Sequence, residues 1–77
     1  MSRTFQDANL LQWEAYASGG EHGYAEPARI VFHCVSDRSL RARSIERQGD
    51  QADAEREIAT SSEQELAELL GRASEVR

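Results

Sequence analysis

Five arginines, Arg29, Arg38, Arg41, Arg43 and Arg47, crowd one stretch of an otherwise acidic chain. They adjoin its most apolar segment, Arg29-Ile30-Val31-Phe32-His33-Cys34-Val35. Against Asp37 and Glu46 the stretch carries a net +3, whereas the whole chain carries −5, which leaves −8 for the remainder. The chemistry such a cluster offers is recognition of an anion or of an acidic partner surface. Arg41 and Arg43 stand two apart, so on a strand both side chains leave one face of a sheet. The same alternation adds Arg47 unless a bulge intervenes. If that face is free of helices, Tyr16, His33 and Val31 join it. Arg41, Arg43, Arg47, Tyr16 and His33 are therefore the candidate partner-binding residues. Their occupant would be an acidic protein surface, such as the segment 62–74 of a second copy. Pairing with Glu14 or Glu46 inside the chain is the structural alternative.

Other reactive residue types give weaker patterns. His33 and Cys34 are adjacent, so on a strand they point to opposite faces and can neither share a metal ion nor form a nucleophile–base pair. Structural zinc requires paired Cys or His spacing, which this chain lacks. A lone Cys34 reads as a small buried apolar residue. The tract Gly19-Gly20-Glu21-His22-Gly23-Tyr24 has the glycines of a ligand loop. No Lys-Ser or Lys-Thr pair follows it, so it is not a phosphate-cradling loop, and it reads as a hairpin tip. The carboxylates concentrate in the helical C-terminal region, where a solvated face explains them. No catalytic residue, metal site or cofactor is expected.

At 77 residues the chain has room for one domain, which buries only about 60% of its unfolded surface. A deep cleft would compete with the core for the same apolar residues. The single cysteine excludes an intramolecular disulfide. The longest apolar run is Ile30 to Phe32, far below the roughly 20 residues of a membrane span. The segment Met-Ser-Arg-Thr-Phe-Gln-Asp does not resemble a signal peptide. A reduced, cytoplasmic protein without membrane contact is the expectation. All nine basic residues are Arg, against fourteen acidic ones. Two compatible readings compete for this bias, a GC-rich genome that favours Arg, Ala and Gly codons and a salt-adapted cytoplasm in which an acidic surface keeps a protein in solution; neither speaks to function.

These residues must be positioned by a small set of elements. Met1 to Asn9 is polar apart from Phe5 and reads as a loose N-terminal arm, leaving 10–77 as the domain. Leu11, Trp13, Ala15 and Ala17 alternate with polar residues, which predicts a half-buried strand at 10–17. Ala28 to Ser36 predicts a central strand, with Ile30, Phe32 and Cys34 on one face. Leu40 to Arg47 predicts a third, with Leu40, Ala42 and Ser44 opposite Arg41, Arg43 and Ile45. Ile45 is then out of phase with the apolar face. Either a bulge near Ser44 restores it to the core, or it joins Val31 and Val35 in a second cluster. Residues 52–59 are rich in helix formers and read as a short helix, with a fourth strand as the alternative. Ser62-Glu63-Gln64-Glu65 is a capping box, and Leu66, Leu69, Leu70 and Ala73 form the stripe of a longer helix.

The predicted fold is α+β: a three-stranded antiparallel meander followed by a short and a longer helix packed on one face, or a four-stranded sheet with one helix. Trp13, Ile30, Phe32, Leu66, Leu69 and Leu70 are the predicted core. Two functions from different classes fit. One is a non-enzymatic protein interaction module that self-associates through its sheet. The other is single-stranded nucleic-acid or anion binding by the arginine strand, resembling stacking surfaces in chemistry only. The net negative charge weighs against nucleic acid.

Overall fold

Alternating side chains produce strands and the two capped segments produce helices, in the order β1 (Ser2–Gln6), β2 (Gln12–Ser18), β3 (Ala28–Cys34), β4 (Arg43–Arg47), α1 (Gln51–Thr60), α2 (Glu63–Arg72) and β5 (Ser74–Glu75). The structure is a computed structural model that describes residues 2–19 and 27–76. All strands pair antiparallel with their neighbours in the spatial order β1-β2-β3-β4-β5. Both helices lie on one face of this sheet, and the core is formed between the two layers. Among the described residues, no helix is long and apolar enough to cross a membrane. The glycine tract from Gly20 to Tyr24 lies outside the described residues.

The sheet has five strands rather than three or four. The expected loose arm contains β1, whose residues pair with β2 from Ser2↔Tyr16 to Gln6↔Gln12. Phe5 is the physical reason. It is buried and meets Phe32 edge to face, with ring centroids 5.9 Å apart and an interplanar angle of 83°. One aromatic is enough to dock a five-residue strand whose backbone also finds a hydrogen-bonding partner. The tight β1–β2 turn is organised by Asp7. Its Oδ1 accepts from the backbone N–H groups of Asn9 (2.8 Å) and Leu11 (3.0 Å), and its Oδ2 accepts from the Trp13 indole (2.9 Å). The turn places Leu10 at φ 65°, a left-handed conformation that only glycine adopts without cost.

Helix α1 covers 51–60, so the strand alternative for this segment is corrected. Asp50 caps it in a reciprocal box with Asp53: Asp53 N–H donates to Asp50 Oδ1 (3.0 Å) and Asp50 N–H to Asp53 Oδ2 (3.1 Å). Ser62 and Glu65 repeat the arrangement at α2 (3.1 and 2.8 Å). The backbone N–H and hydroxyl of Ser62 hold the Glu65 carboxyl below its ordinary range. Ala54 and Ile58 of α1, and Leu66, Leu69 and Leu70 of α2, are buried against Trp13, Ile30, Phe32 and Cys34 of the sheet. After α2 the chain returns to the sheet as β5, opposite Arg43 and Ser44. Neither Phe5 nor β5 belonged to the predicted architecture.

The expected third strand, 40–47, begins only at Arg43. Asp37 holds the preceding residues in a turn, since its Oδ1 accepts from the N–H (3.0 Å) and hydroxyl (2.6 Å) of Ser39 and its carbonyl accepts from Leu40 N–H (3.3 Å). Leu40 is thereby left exposed. Ile45 stands opposite Ile30 and packs on the core. It needs no bulge, and it does not form a second cluster. The face that carries Ile45 is the helix-covered one. The phase of the strand was correct and the assignment of its faces was inverted.

Candidate interaction face

That inversion decides where the arginines go. Residues directly opposite in an antiparallel ladder point to the same side. Phe32↔Arg43, Ile30↔Ile45 and Ala28↔Arg47 therefore put Arg43 and Arg47 on the helix side, at the rim of the core. Arg47 makes a forked ion pair with Glu57 of α1: Nε donates to Oε1 (2.8 Å) and Nη2 to Oε2 (2.6 Å). The guanidinium of Arg43 lies 5.9 Å from the centroid of the Trp13 ring, a cation–π arrangement. A third arginine of this side, Arg3 on β1, donates from Nη1 to the carbonyls of Ile58 (2.9 Å) and Ser61, closing the C-terminal end of α1. That end carries partial negative charge and has no basic residue of its own. Three long side chains thus lay their stems along the apolar layer and use their heads to tie sheet to helices or indole.

The candidate residues do not form one surface. Arg43 and Arg47 face the helices. Arg41 is exposed in the segment before β4 and makes no ion pair among the described residues. Tyr16 and His33 lie on the opposite side of the sheet, which no helix covers among the described residues. Cys34 is buried on the helix side, one residue from the exposed His33, so their side chains diverge as the strand alternation requires. Among the described residues no group of three or more His, Cys, Asp or Glu could hold a metal ion.

The helix-free face can be built row by row from the strand registers. Its central row crosses all five strands: Ser2, Tyr16, Val31, Ser44 and Ser74. On one side lies the row Thr4, Glu14 and His33, on the other Ser18, Arg29 and Glu46. Tyr16 is 39% exposed in the middle of this surface, and Val35 and Val76 are exposed near its margins. Ser2, Ser44 and Ser74 are the small residues of the central row. The charges stand in the outer rows. Ser2 Oγ donates to Glu14 Oε2 (3.0 Å), and Arg29 meets Glu46 at 3.8 Å, a loose pair of largely exposed side chains. On this face, where β5 ends, an open hollow is lined by Arg29, Ser44, Glu46, Ser74 and Val76, together with Ile45 and Arg72.

Alternation in β2 and β3 was sufficient to place Tyr16, Val31 and His33 together. Arg29 and Glu14 share their parity, but neither is among the sequence-predicted partner-binding residues, Glu14 being expected as a within-chain partner for an arginine. Ser2, Thr4 and Ser74 had no signal, since β1 and β5 were not foreseen. Comparison with protein-family models, with curated proteins and with solved structures finds no match to this chain.

Proposed function

We propose that this chain is a small, non-enzymatic interaction module that self-associates through the helix-free face of its sheet. The observation that carries the reading is the Tyr16–Val31 cross-strand pair, at the centre of a sheet face that, among the described residues, no other element covers. Among the described residues, a five-stranded sheet with helices on one side alone leaves Tyr16 exposed and Val31 half-buried, and tyrosine is among the residues that dominate protein contacts. A domain of this size gains from any further burial. Nucleic-acid or anion binding by the arginine strand has less support, because Arg47 is engaged by Glu57 and Arg43 by Trp13.

Sedimentation equilibrium tests the proposal. The expected result is a mass above the monomer's 8.6 kDa that rises with concentration, and its return to the monomer value in Val31→Glu with the fold intact. A Val31→Glu protein that associates like the wild type would sink the reading, and so would a wild type that stays monomeric at millimolar concentration.

A further inference from the structure

The arrangement of charge on the open face specifies how a second copy would sit on it. Resting on the reading just given, we infer that two copies pack face to face about a twofold axis running across the strands along the row Ser2-Tyr16-Val31-Ser44-Ser74, so that Glu14 of each copy meets Arg29 of the other. The axis places Val31 on Val31 and Tyr16 on Tyr16 at the centre. It exchanges the two outer rows, so the row of Glu14 and His33 lies over the row of Arg29 and Glu46 of the second copy.

With the axis lying strictly along the row the strands would align and Glu14 would sit over Ser18 of the second copy; packed sheets cross at about 30°, which turns the axis about 15° from the row. Glu14 and Arg29 are each two residues along the strand from the central row, about 6.8 Å from the axis. The crossing moves such a residue sideways by about 3.4 Å, most of the spacing of about 4.8 Å between adjacent strands. The turn that carries Glu14 of β2 toward Arg29 on β3 of the second copy also carries His33 of β3 toward Glu46 on its β4. There an imidazole N–H faces a carboxylate. Glu14 then meets a guanidinium and Glu46 an imidazole N–H, and symmetry doubles each pair.

Twofold axes parallel to the strands do less well. They keep each row over itself. An axis on β3 sets Arg29 against Arg29. One between β2 and β3 sets Arg29 against Ser18 and leaves Glu46 unmatched. One between β3 and β4 pairs Arg29 with Glu46 but strands Glu14 and moves Tyr16 off centre. The within-chain Arg29–Glu46 contact is long, 3.8 Å, with the two side chains 43% and 67% exposed, and among the described residues Arg29 makes no other ion pair. A contact of ordinary size takes about 800 Å² from each partner, which is a modest part of the 5210 Å² surface of this chain.

The test is a charge exchange between copies. Glu14→Arg places arginine against Arg29 of its partner, and Arg29→Glu places glutamate against Glu14. Each single variant should self-associate at least about tenfold more weakly than the wild type, since like charges across an interface are costly. Mixed together, the two variants restore both pairs in a heterodimer. The arginine introduced by E14R faces the glutamate introduced by R29E, and the native Arg29 of the first copy faces the native Glu14 of the second. The mixture should regain association to within about threefold of the wild type, a difference of under 1 kcal/mol. The milder Glu14→Gln and Arg29→Gln variants should weaken association less, and their mixture, which regains one of the two native Glu14–Arg29 pairs, should recover only part of the loss; circular dichroism in the Trp13 region confirms that each variant is folded. A mixture that stays as weak as its components overturns this orientation. Single variants that associate like the wild type overturn it as well, while the loss in Val31→Glu still upholds the face. A monomeric wild type overturns both.

Discussion

Phe5 is the sharpest test of how the layers are joined, because it lies in a segment whose sequence gives little reason to expect order. Its side chain is 2% exposed, edge-on to Phe32 and within the cluster that includes Trp13 and the α2 leucines. Replacing a fully buried Phe by Ala costs about 3–5 kcal/mol through lost transfer energy and the cavity left behind. The edge-to-face pair accounts for about 0.5–1.5 kcal/mol of such an effect. A chain of this length has a total stability of about 4–12 kcal/mol, so Phe5→Ala removes a large part of it. In urea, with a slope of about 1 kcal/mol per molar for a small domain, the midpoint should fall by about 3 M or more. Phe5→Leu, a milder change costing about 1–2 kcal/mol, keeps the experiment readable if Phe5→Ala is unfolded throughout. A loss below about 1 kcal/mol for Phe5→Ala would show that β1 is peripheral and that the core closes without it.

Three further outcomes follow from the same geometry. Leu10 is 74% exposed at φ 65°, so Leu10→Gly relieves strain without losing packing and should raise stability by about 1 kcal/mol, less the entropy glycine adds to the unfolded chain; a loss of stability in thermal unfolding would contradict this. Burial acts to raise the Asp7 carboxyl, but hydrogen bonds from the Trp13 indole and the Leu11 and Asn9 amides, helped by Arg43, outweigh it and hold the group below its ordinary 3.8. Its stabilisation is therefore fully present above that value and lost as pH falls through the depressed one, so acid titration of Asp7→Asn should show a shallower loss than the wild type, and an unchanged slope would refute the assignment. Eight of the fourteen acidic residues follow Gln48, with three Arg among them, so monomer stability should rise between about 0.01 M and 1 M chloride as screening shortens from about 30 to 3 Å; a falling melting temperature would mean that the Arg47–Glu57 and Arg3 links outweigh the repulsion.

The parts of the fold that were legible in the sequence are those where local chemistry and burial agree. The Ser62–Glu65 box and the leucine stripe predict α2 almost to the residue, and the six predicted core residues are all buried. Alternation located β2 and β3 because each carries three or more apolar residues in phase. β1 was missed because Phe5 is alone among polar residues, and β5 because two residues carry no period at all. β4 was misread for a physical reason. Its only large apolar residue, Ile45, is flanked by Arg43 and Arg47, and a guanidinium on each side suggests solvent. The stems of both arginines instead line the core edge while their heads reach Trp13 and Glu57. Charge type alone does not show which face a long side chain serves. The candidate site consequently separated into two halves, with arginines on the covered face and Tyr16 and His33 on the open one.

Gly19 adds a local constraint on the β2–β3 connection. It has φ 79°, and a Cβ there would stand 2.7 Å from the Pro27 carbonyl oxygen. Both conformation and space therefore require glycine where the chain leaves β2. This fixes the exit of the strand that carries Glu14 and Tyr16, and so the register on which the open face depends.

The most direct test of the central claim is a dilution series followed by amide chemical shifts. If the helix-free face is where copies meet, resonances that move between millimolar and micromolar protein should cluster on Glu14, Tyr16, Arg29, Val31, His33 and Ser44, with α1, α2 and the segment around Arg41 nearly still. Shifts confined to the helices or to Arg41, or a spectrum unchanged by dilution, would contradict it.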